Sequence, residues 1–544
     1  MTYINDTLKI YQFNSVYFTK ISNSGIDSIS YLNDVYTIYT KDSAYSSKIS
    51  NTTITNGINN YNVYYVLDSN QVGGGVSTAK VGDRVTRLKS DISKYGGYGN
   101  VFLMGDNTIK ACGTGTAGGY GTPDEKRVTI PMRVTVGDEY SRRGNFIEVF
   151  GDYQGLYALT DSGEVYAKGE NEAGQLGDGT YDNNGLLRKI DFFEQNNIKV
   201  KKLICGGRSS SGIRSSLFAI TNQGKVYSWG FNNYGQLGVG DNNYRNIPTL
   251  VTGLQNKNIT NLFIGDSWHN CIAAIDDSNN LYTWGQGDKG TLGLGTLVHH
   301  NTPQQVPGIK ASEVAISHHY DNYMLIITPD SMLMGAGQNN LGQLGDGTNV
   351  NPRTSFVSPV GGFDNVAEID VSSDEGTSLF INYDRELYMT GSNAHGQMGD
   401  GTTQHRTTFQ KVNAPFQKMV KKAKMGGIDD RIYTVVLDTN GQLWGCGYNT
   451  SGQLGRGHSS NNTSTRSFEK YKGLPRGAKI LDFALYGVGD SGGVTVLLED
   501  GRAFSTGWNV DYGAGGTGAL NPFDGSVFSG GGLQNNSVFY EVKF

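Results

Sequence analysis

Asn339-Asn-Leu-Gly-Gln-Leu-Gly-Asp-Gly-Thr348 is matched earlier in the chain by Asn171-Glu-Ala-Gly-Gln-Leu-Gly-Asp-Gly-Thr180. Looser copies run from Asn232 to Gly240, Gly287 to Gly295, Asn393 to Thr402 and Asn449 to Gly457. Each copy holds one apolar side chain among glycines: Leu176, Leu237, Leu292, Leu344, Met398 or Leu454. Glycine adopts backbone angles closed to other residues. The segment therefore reads as a tight loop that turns one side chain inward, a plug between neighbouring repeat units. Truncating such a plug to alanine is expected to cost about 2–5 kcal/mol.

Upstream of each loop lies a hairpin. Leu156-Tyr-Ala-Leu-Thr160, the turn Asp-Ser-Gly163 and Glu164-Val-Tyr-Ala-Lys168 form one copy. Leu217 to Thr221, Asn-Gln-Gly224 and Lys225 to Trp229 form another. β-rich runs joined by Asp, Asn and Gly turns are the hairpin signature. The hairpins end at Gly113, Gly169, Gly230, Gly285, Gly337, Gly391, Gly447 and Gly507, spaced 52 to 61 residues apart. Downstream, runs such as Ile247 to Val251 and Thr302 to Val306 complete a sheet of about four strands. A chain of 544 residues with 77 glycines, 32 tyrosines and 22 phenylalanines fits such a repeat array better than one ordinary core. One small sheet cannot cover both its faces, so the copies are expected to stack radially into an all-β propeller. Seven or eight blades are possible. Eight is favoured because each copy brings its own hairpin.

The G-Q-L-G-x-G loop, following a hairpin that ends in Trp-Gly and recurring at this period, resembles the regulator of chromosome condensation family over about residues 86 to 544. The first copy, Gly113 to Gly121, and the last, Gly507 to Gly513, are degenerate. Family rings are seven-bladed, which is what keeps the count open. Family copies often place a histidine in the loop that starts a repeat strand. Ile264-Gly-Asp-Ser-Trp-His269 and His318-His319-Tyr320 occupy such loops. With Arg208, Trp268, Asp374, Asp429 and Arg431, they are the expected partner-binding face at the ring mouth. Residues 1 to 85 contain aromatic, β-prone runs such as Val35 to Thr40 but no plug loop, and Val72-Gly-Gly-Gly75 supplies a flexible joint. They read as a small β-rich attachment domain or arm, or as a cap packed on the first blade.

Other chemistry finds little support. Forty-five basic and fifty acidic residues give a formal net charge of -5, which offers a polyanion no broad attraction. Four cysteines lack C-x-x-C spacing, so neither a disulfide framework nor a thiolate zinc site is expected. Cys112 and Cys446 stand where other copies carry Trp229 or Trp284, as buried strand residues do. Gly113 to Gly118 and Gly285 to Gly290 match G-x-G-x-x-G, but that motif needs a following helix to face a pyrophosphate, and none is expected. Asp178, Asp346 and Asp400 lack the alternating acidic ligands of a calcium loop and read as turn caps. Neither a catalytic triad nor paired carboxylates in a recognisable frame are present, and no catalytic residue, cofactor or metal is assigned. The first residues lack an apolar leader core and no stretch is long enough to span a bilayer, so synthesis in a cytoplasm is expected.

The function expected from these features is a non-enzymatic interaction or structural propeller. An Asn-, Tyr- and Thr-rich composition and an N-terminal arm suit a bacteriophage virion component with a tail or receptor-binding role. Virion proteins would be met through the arm and a host receptor through the ring, with no nucleic acid and no membrane insertion. The resemblance implies two alternatives, nucleotide exchange on a small GTPase and inhibition of an enzyme by a propeller.

Overall fold

Runs such as Leu217-Phe-Ala-Ile220 are apolar at every position, and a strand of that kind must be covered on both faces. The computed structural model describes residues 98–114, 127–137, 144–151, 155–206, 215–265, 270–317, 322–372, 376–427, 431–457, 465–486, 492–507 and 536–542, together with the backbone of short strands in residues 2–89. The chain divides into two units, Met1–Gly82 and Asp83–Phe544. In the first, Thr2–Ile4, Thr7–Tyr11, Val35–Lys41 and Gly25–Leu32 form one antiparallel sheet in that order. Thr53–Thr55 and Asn60–Asn62 form a separate hairpin.

The second unit is a ring of eight four-stranded blades, a β-propeller. Blade 1 runs from strand Val85–Lys89 to Arg127–Arg133, and blade 2 from Phe146–Gly151 to Asn184–Lys189. Blade 3 runs from Val200–Gly206 to Arg245–Leu250, and blade 4 from Ile259–Ile264 to His300–Lys310. Blade 5 runs from Glu313–Ile316 to Arg353–Val357, and blade 6 from Val366–Val371 to Arg406–Lys411. Blade 7 runs from Val420–Gly426 to Thr465–Lys470, and blade 8 from Ile480–Tyr486 to Asn536–Glu541. Within each blade the strands pair antiparallel in chain order, so no blade borrows a strand from another. Asp191–Gln195 is the one helix among the described residues.

Eight apolar clusters fill the spaces between blades. Phe218, Ile220 and Leu237 of blade 3 meet Ile259, Ile272 and Trp284 of blade 4 in one of them. Phe102, Met104 and Cys112 of blade 1 meet Leu497, Ala503 and Val542 of blade 8, and this cluster closes the ring. The second strand of each described blade, for example Ser216–Thr221 or Thr377–Asn382, is buried along its whole length because both faces meet a neighbour.

The plug loop repeats one hydrogen-bond plan. Asn339 accepts from the Leu344 backbone N–H at 3.0 Å through Oδ1 and donates through Nδ2 to Asp346 Oδ1 at 2.9 Å and Thr348 O at 3.1 Å. Asn171, Asn232, Asn393 and Asn449 accept in the same way from Leu176, Leu237, Met398 and Leu454. Five of the six plugs have their N–H bonded in this way, and all six side chains are buried to 2 % exposure or less in the cluster shared with the next blade. The glycine after the plug is needed for two reasons at Gly345. Its φ is +68°, and a Cβ there would lie 2.4 Å from Phe409 of the next blade. The glutamine before the plug presents its carbonyl across the interface. Gln175 O accepts from the Trp229 indole at 3.0 Å and Gln236 O from Trp284 at 2.8 Å. In blade 7 Cys446 takes the tryptophan's place and its thiol faces Gln397 O at 3.3 Å. Burial pushes that thiol well above its ordinary pKa, so it is an inert packing group.

The turn between second and third strands needs one left-handed residue per blade. Asn107, Gly163, Gly224, Asn279, Ser331, Arg385, Gly441 and Gly501 fill it, with φ between +61° and +85°. Ser331 and Arg385 hold this conformation with side chains that disfavour it.

Candidate functional site at the ring mouth and axial channel

In blades 2 to 8 the first residue of the second strand pairs with the glycine that ends the third, as in Ser216 with Gly230 and Cys271 with Gly285. The links from first to second strands therefore share a rim with the plug loops, and this rim is the ring mouth. Of the residues expected there from the sequence, Arg208, Trp268, His269, His318, His319, Tyr320, Asp374 and Asp429 lie outside the described residues. Arg431 is described, partly buried, at the end of its link in blade 7.

The residue before the second strand varies around the ring. Ser215, Asn270, Asn322, Gly376, Ile432 and Gly492 occupy it in blades 3 to 8. Two of them meet the glutamine or threonine of the preceding plug loop. Thr291 Oγ1 donates to Asn322 O at 2.8 Å, and a Cβ on Gly376 would lie 2.6 Å from the Gln343 amide. Asn270 and Asn322 are buried, and their side-chain amides have no hydrogen-bond partner among the described residues. Sequence reasoning passed over both, since each looks like one more polar residue at a loop boundary.

The first strands line the axis, because successive blades touch through them. Apart from blade 5, each shifts register after its first residue, and the shift sets one residue per blade at an equivalent place. These are Arg87, Glu148, Lys202, Asn261, Glu368, Lys422 and Asp482, with Glu313 opening the strand of blade 5. Two pairs of them link neighbouring blades. Lys422 Nζ donates to Asp482 Oδ1 at 2.7 Å and to Phe483 O at 2.8 Å, and Lys202 donates to Asn261 Oδ1. One step further along, Lys424 pairs with Asp370 at 3.1 Å, and the second oxygen of Asp370 accepts from the Met425 N–H at 2.9 Å. Burial raises the Glu313 pKa, opposed by Lys202 and Lys424, which stand two blades away on either side. A signal for this girdle is present in the chain as an apolar residue followed two places later by a polar one, in Val200-Lys-Lys202, Val366-Ala-Glu368 and Val420-Lys-Lys422.

The remaining polar motifs have local work. Asp178, Asp346 and Asp400 accept from the N–H of Thr180, Thr348 and Thr402 at 2.9, 3.0 and 2.9 Å. Asp346 and Asp400 also pair with Arg353 and Arg406. His299 Nδ1 accepts from Gly287 N–H at 3.0 Å and His405 Nδ1 from Asn393 N–H at 3.1 Å, the place that Asn183 and Asn351 fill in blades 2 and 5. Gly285 to Gly290 leads into turns, with no helix to face a phosphate. Among the described residues no group of three or more His, Cys, Asp and Glu side chains is arranged to hold a metal, and no helix is long and apolar enough to cross a membrane.

A rigid ring with a variable rim defines a β-propeller of the protein-interaction class. The regulator of chromosome condensation repeat is matched at residues 162–213, 223–272 and 278–320, and over these repeats the chain is similar to that repeat family. It is similar to the E3 ubiquitin-protein ligase HERC2 of Homo sapiens, 26% identical over 63% of this chain but only 7% of that protein. It is also similar to the ultraviolet-B receptor UVR8 of Arabidopsis thaliana, 29% identical over 50% of this chain and 56% of the receptor. Among solved structures, human WBSCR16 aligns with a TM-score of 0.51 at 17% identity, covering 72% of this chain and 98% of that one. Prp20p of Saccharomyces cerevisiae aligns with a TM-score of 0.50 at 19% identity, covering 70% and 89%. At these identities the structural likenesses show the fold alone.

Proposed function

We propose that this chain is a non-enzymatic protein-interaction propeller that engages a protein partner at the ring mouth. One observation carries the reading. The plug loops reuse one plan from blade to blade, whereas the residue that precedes the second strand is Ser, Asn, Asn, Gly, Ile and Gly in blades 3 to 8. These six residues are buried directly beneath the mouth, so a uniform frame supports a mouth whose underlying packing varies around the ring, as a specific binding face requires. Arg208, Trp268, His269, His318, His319, Tyr320, Asp374, Asp429 and Arg431 belong to this proposed face, with aromatic and arginine anchors as the expected source of affinity. Relatives support a protein partner in kind, since the Prp20p structure is described with its binding to Gsp1p and histones.

The finer reading assigns the chain to a bacteriophage particle, attached through residues 1 to 85 with the ring turned to a host receptor. It rests on the sequence alone. Particles lacking the protein are expected to lose adsorption, and unchanged adsorption with unchanged particle composition would refute it. In a GDP-release assay with a panel of small GTPases no acceleration is expected, and acceleration would move the reading to the exchange activity best known for the family. For the mouth itself, Arg431→Glu is expected to weaken partner binding at least about tenfold, roughly the loss of one charge-assisted contact. An unchanged affinity would place the partner elsewhere.

A further inference from the structure

Blades 3 to 5 share an arc of buried amides at the mouth. Asn270 is 0 % and Asn322 1 % exposed, and neither the nitrogen nor the oxygen of either side chain has a partner among the described residues. Gln236 Nε2 and Gln286 Oε1 are likewise unbonded, in residues 0 % and 5 % exposed. The four are contiguous. Gln286 N–H donates to Asn270 O at 3.0 Å, and Gln236 O accepts from the indole of Trp284, two residues before Gln286. Thr291 of the same blade 4 loop reaches Asn322 O. In blades 6, 7 and 8 the place of the two asparagines is taken by Gly376, Ile432 and Gly492, which bring no polar side chain. Buried amides without hydrogen bonds are among the costlier features a fold tolerates, and each instance calls for a reason.

The unbonded atoms are three nitrogens and three oxygens, in neutral groups. An anion would meet the oxygens unfavourably and a cation the nitrogens. A peptide group suits both, because a planar primary amide offers one donor and one acceptor side by side, as the backbone N–H and C=O do. We propose that this arc binds an extended segment of a protein partner through the segment's backbone amides. The inference rests on the protein-interaction reading and adds to it a sector of the ring and the chemistry of recognition.

The experiment uses the full chain. A displayed library of random peptides is selected on it, and an enriched peptide is titrated against wild type, N270L/N322L and N270S/N322S. The second variant guards against misfolding, since serine already stands at the equivalent place in blade 3 as Ser215. Both variants are expected to bind at least about tenfold more weakly, and N270L/N322L to melt roughly 2 °C or more above wild type, because it removes unbonded amides. Methylating the peptide's backbone nitrogens is expected to abolish binding. Unchanged affinity in both variants would overturn the inference while leaving the interaction reading intact, and failure to enrich any peptide would count against both. A lower melting temperature in N270L/N322L would mean that the amides serve the fold. Capture of arrayed glycans in place of peptides, lost in the variants, would replace the peptide by a sugar.

Discussion

The spaces between blades and the axial channel are built from the same strands yet handle polarity in opposite ways. Between blades, the backbone N–H of the plug and the asparagine that opens its loop have dedicated partners, as Asn339 does for Leu344 and Asp346. Along the axis and mouth, amides such as Asn270 are buried without a bond, and Glu313, although exposed, is desolvated enough to raise its pKa. The contrast teaches where stability and specificity are separated. The interfaces repeat because each must hold one wedge against the next, while the inner surface varies because it is free of that duty.

Substitutions that break the interface plan should have the largest effect. Leu344→Ala empties a plug site and Gly345→Ala drives a Cβ to 2.4 Å from Phe409 at a positive φ. Each is expected to lower stability by roughly 2–5 kcal/mol in denaturant titrations. Losses under about 1 kcal/mol would deny the loop its role as a wedge.

Lys168 is the exception inside an interface. It stands in blade 2 where Trp229 and Trp284 stand in blades 3 and 4, fully buried, and burial lowers its pKa to about 8. The folded state disfavours the charged amine, so wild-type stability is lowest below pH 8 and rises as pH climbs from there to the ordinary lysine value. Lys168→Met is expected to gain up to about 3 kcal/mol at neutral pH and to lose that alkaline rise. A destabilised variant would show that the amine's own bonds outweigh its burial.

On the channel side, Glu313 is held with a raised pKa, so the fold favours its protonated form and loses stability as pH rises through the ordinary carboxylate value toward the raised one. Glu313→Gln is therefore expected to stabilise the protein slightly at neutral pH and to leave it unchanged in acid, as followed by thermal melts. Smaller again is the relief of backbone strain. Ser331→Gly and Arg385→Gly place glycine at φ +61° and are each expected to add about 0.5–1 kcal/mol, the left-handed penalty less the entropy of a freer unfolded chain.

Much of the frame is legible in the chain because its parts are local. A glycine-bounded leucine and an Asp-Ser-Gly163 turn announce their conformation within ten residues, and their spacing announces the blades. Pro329-Asp330 and Asp384-Arg385 depart from the glycine pattern yet still read as polar turns, and Ser331 and Arg385 take the left-handed place there. The channel girdle stays hidden. Lys422 and Asp482 look like ordinary half-exposed strand residues sixty positions apart, and only ring closure turns both toward one axis. Asn270 and Asn322 are equally ordinary in sequence, and their meaning lies in what fails to bond them.

The account depends throughout on eight wedges closing one ring at the contact of Phe102, Met104 and Cys112 with Leu497, Ala503 and Val542. Single-particle images of the full chain viewed along the ring axis count those wedges directly. Eight, with the first and last blades in contact, is the expected result; seven, with a terminal sheet standing outside the ring, would contradict it.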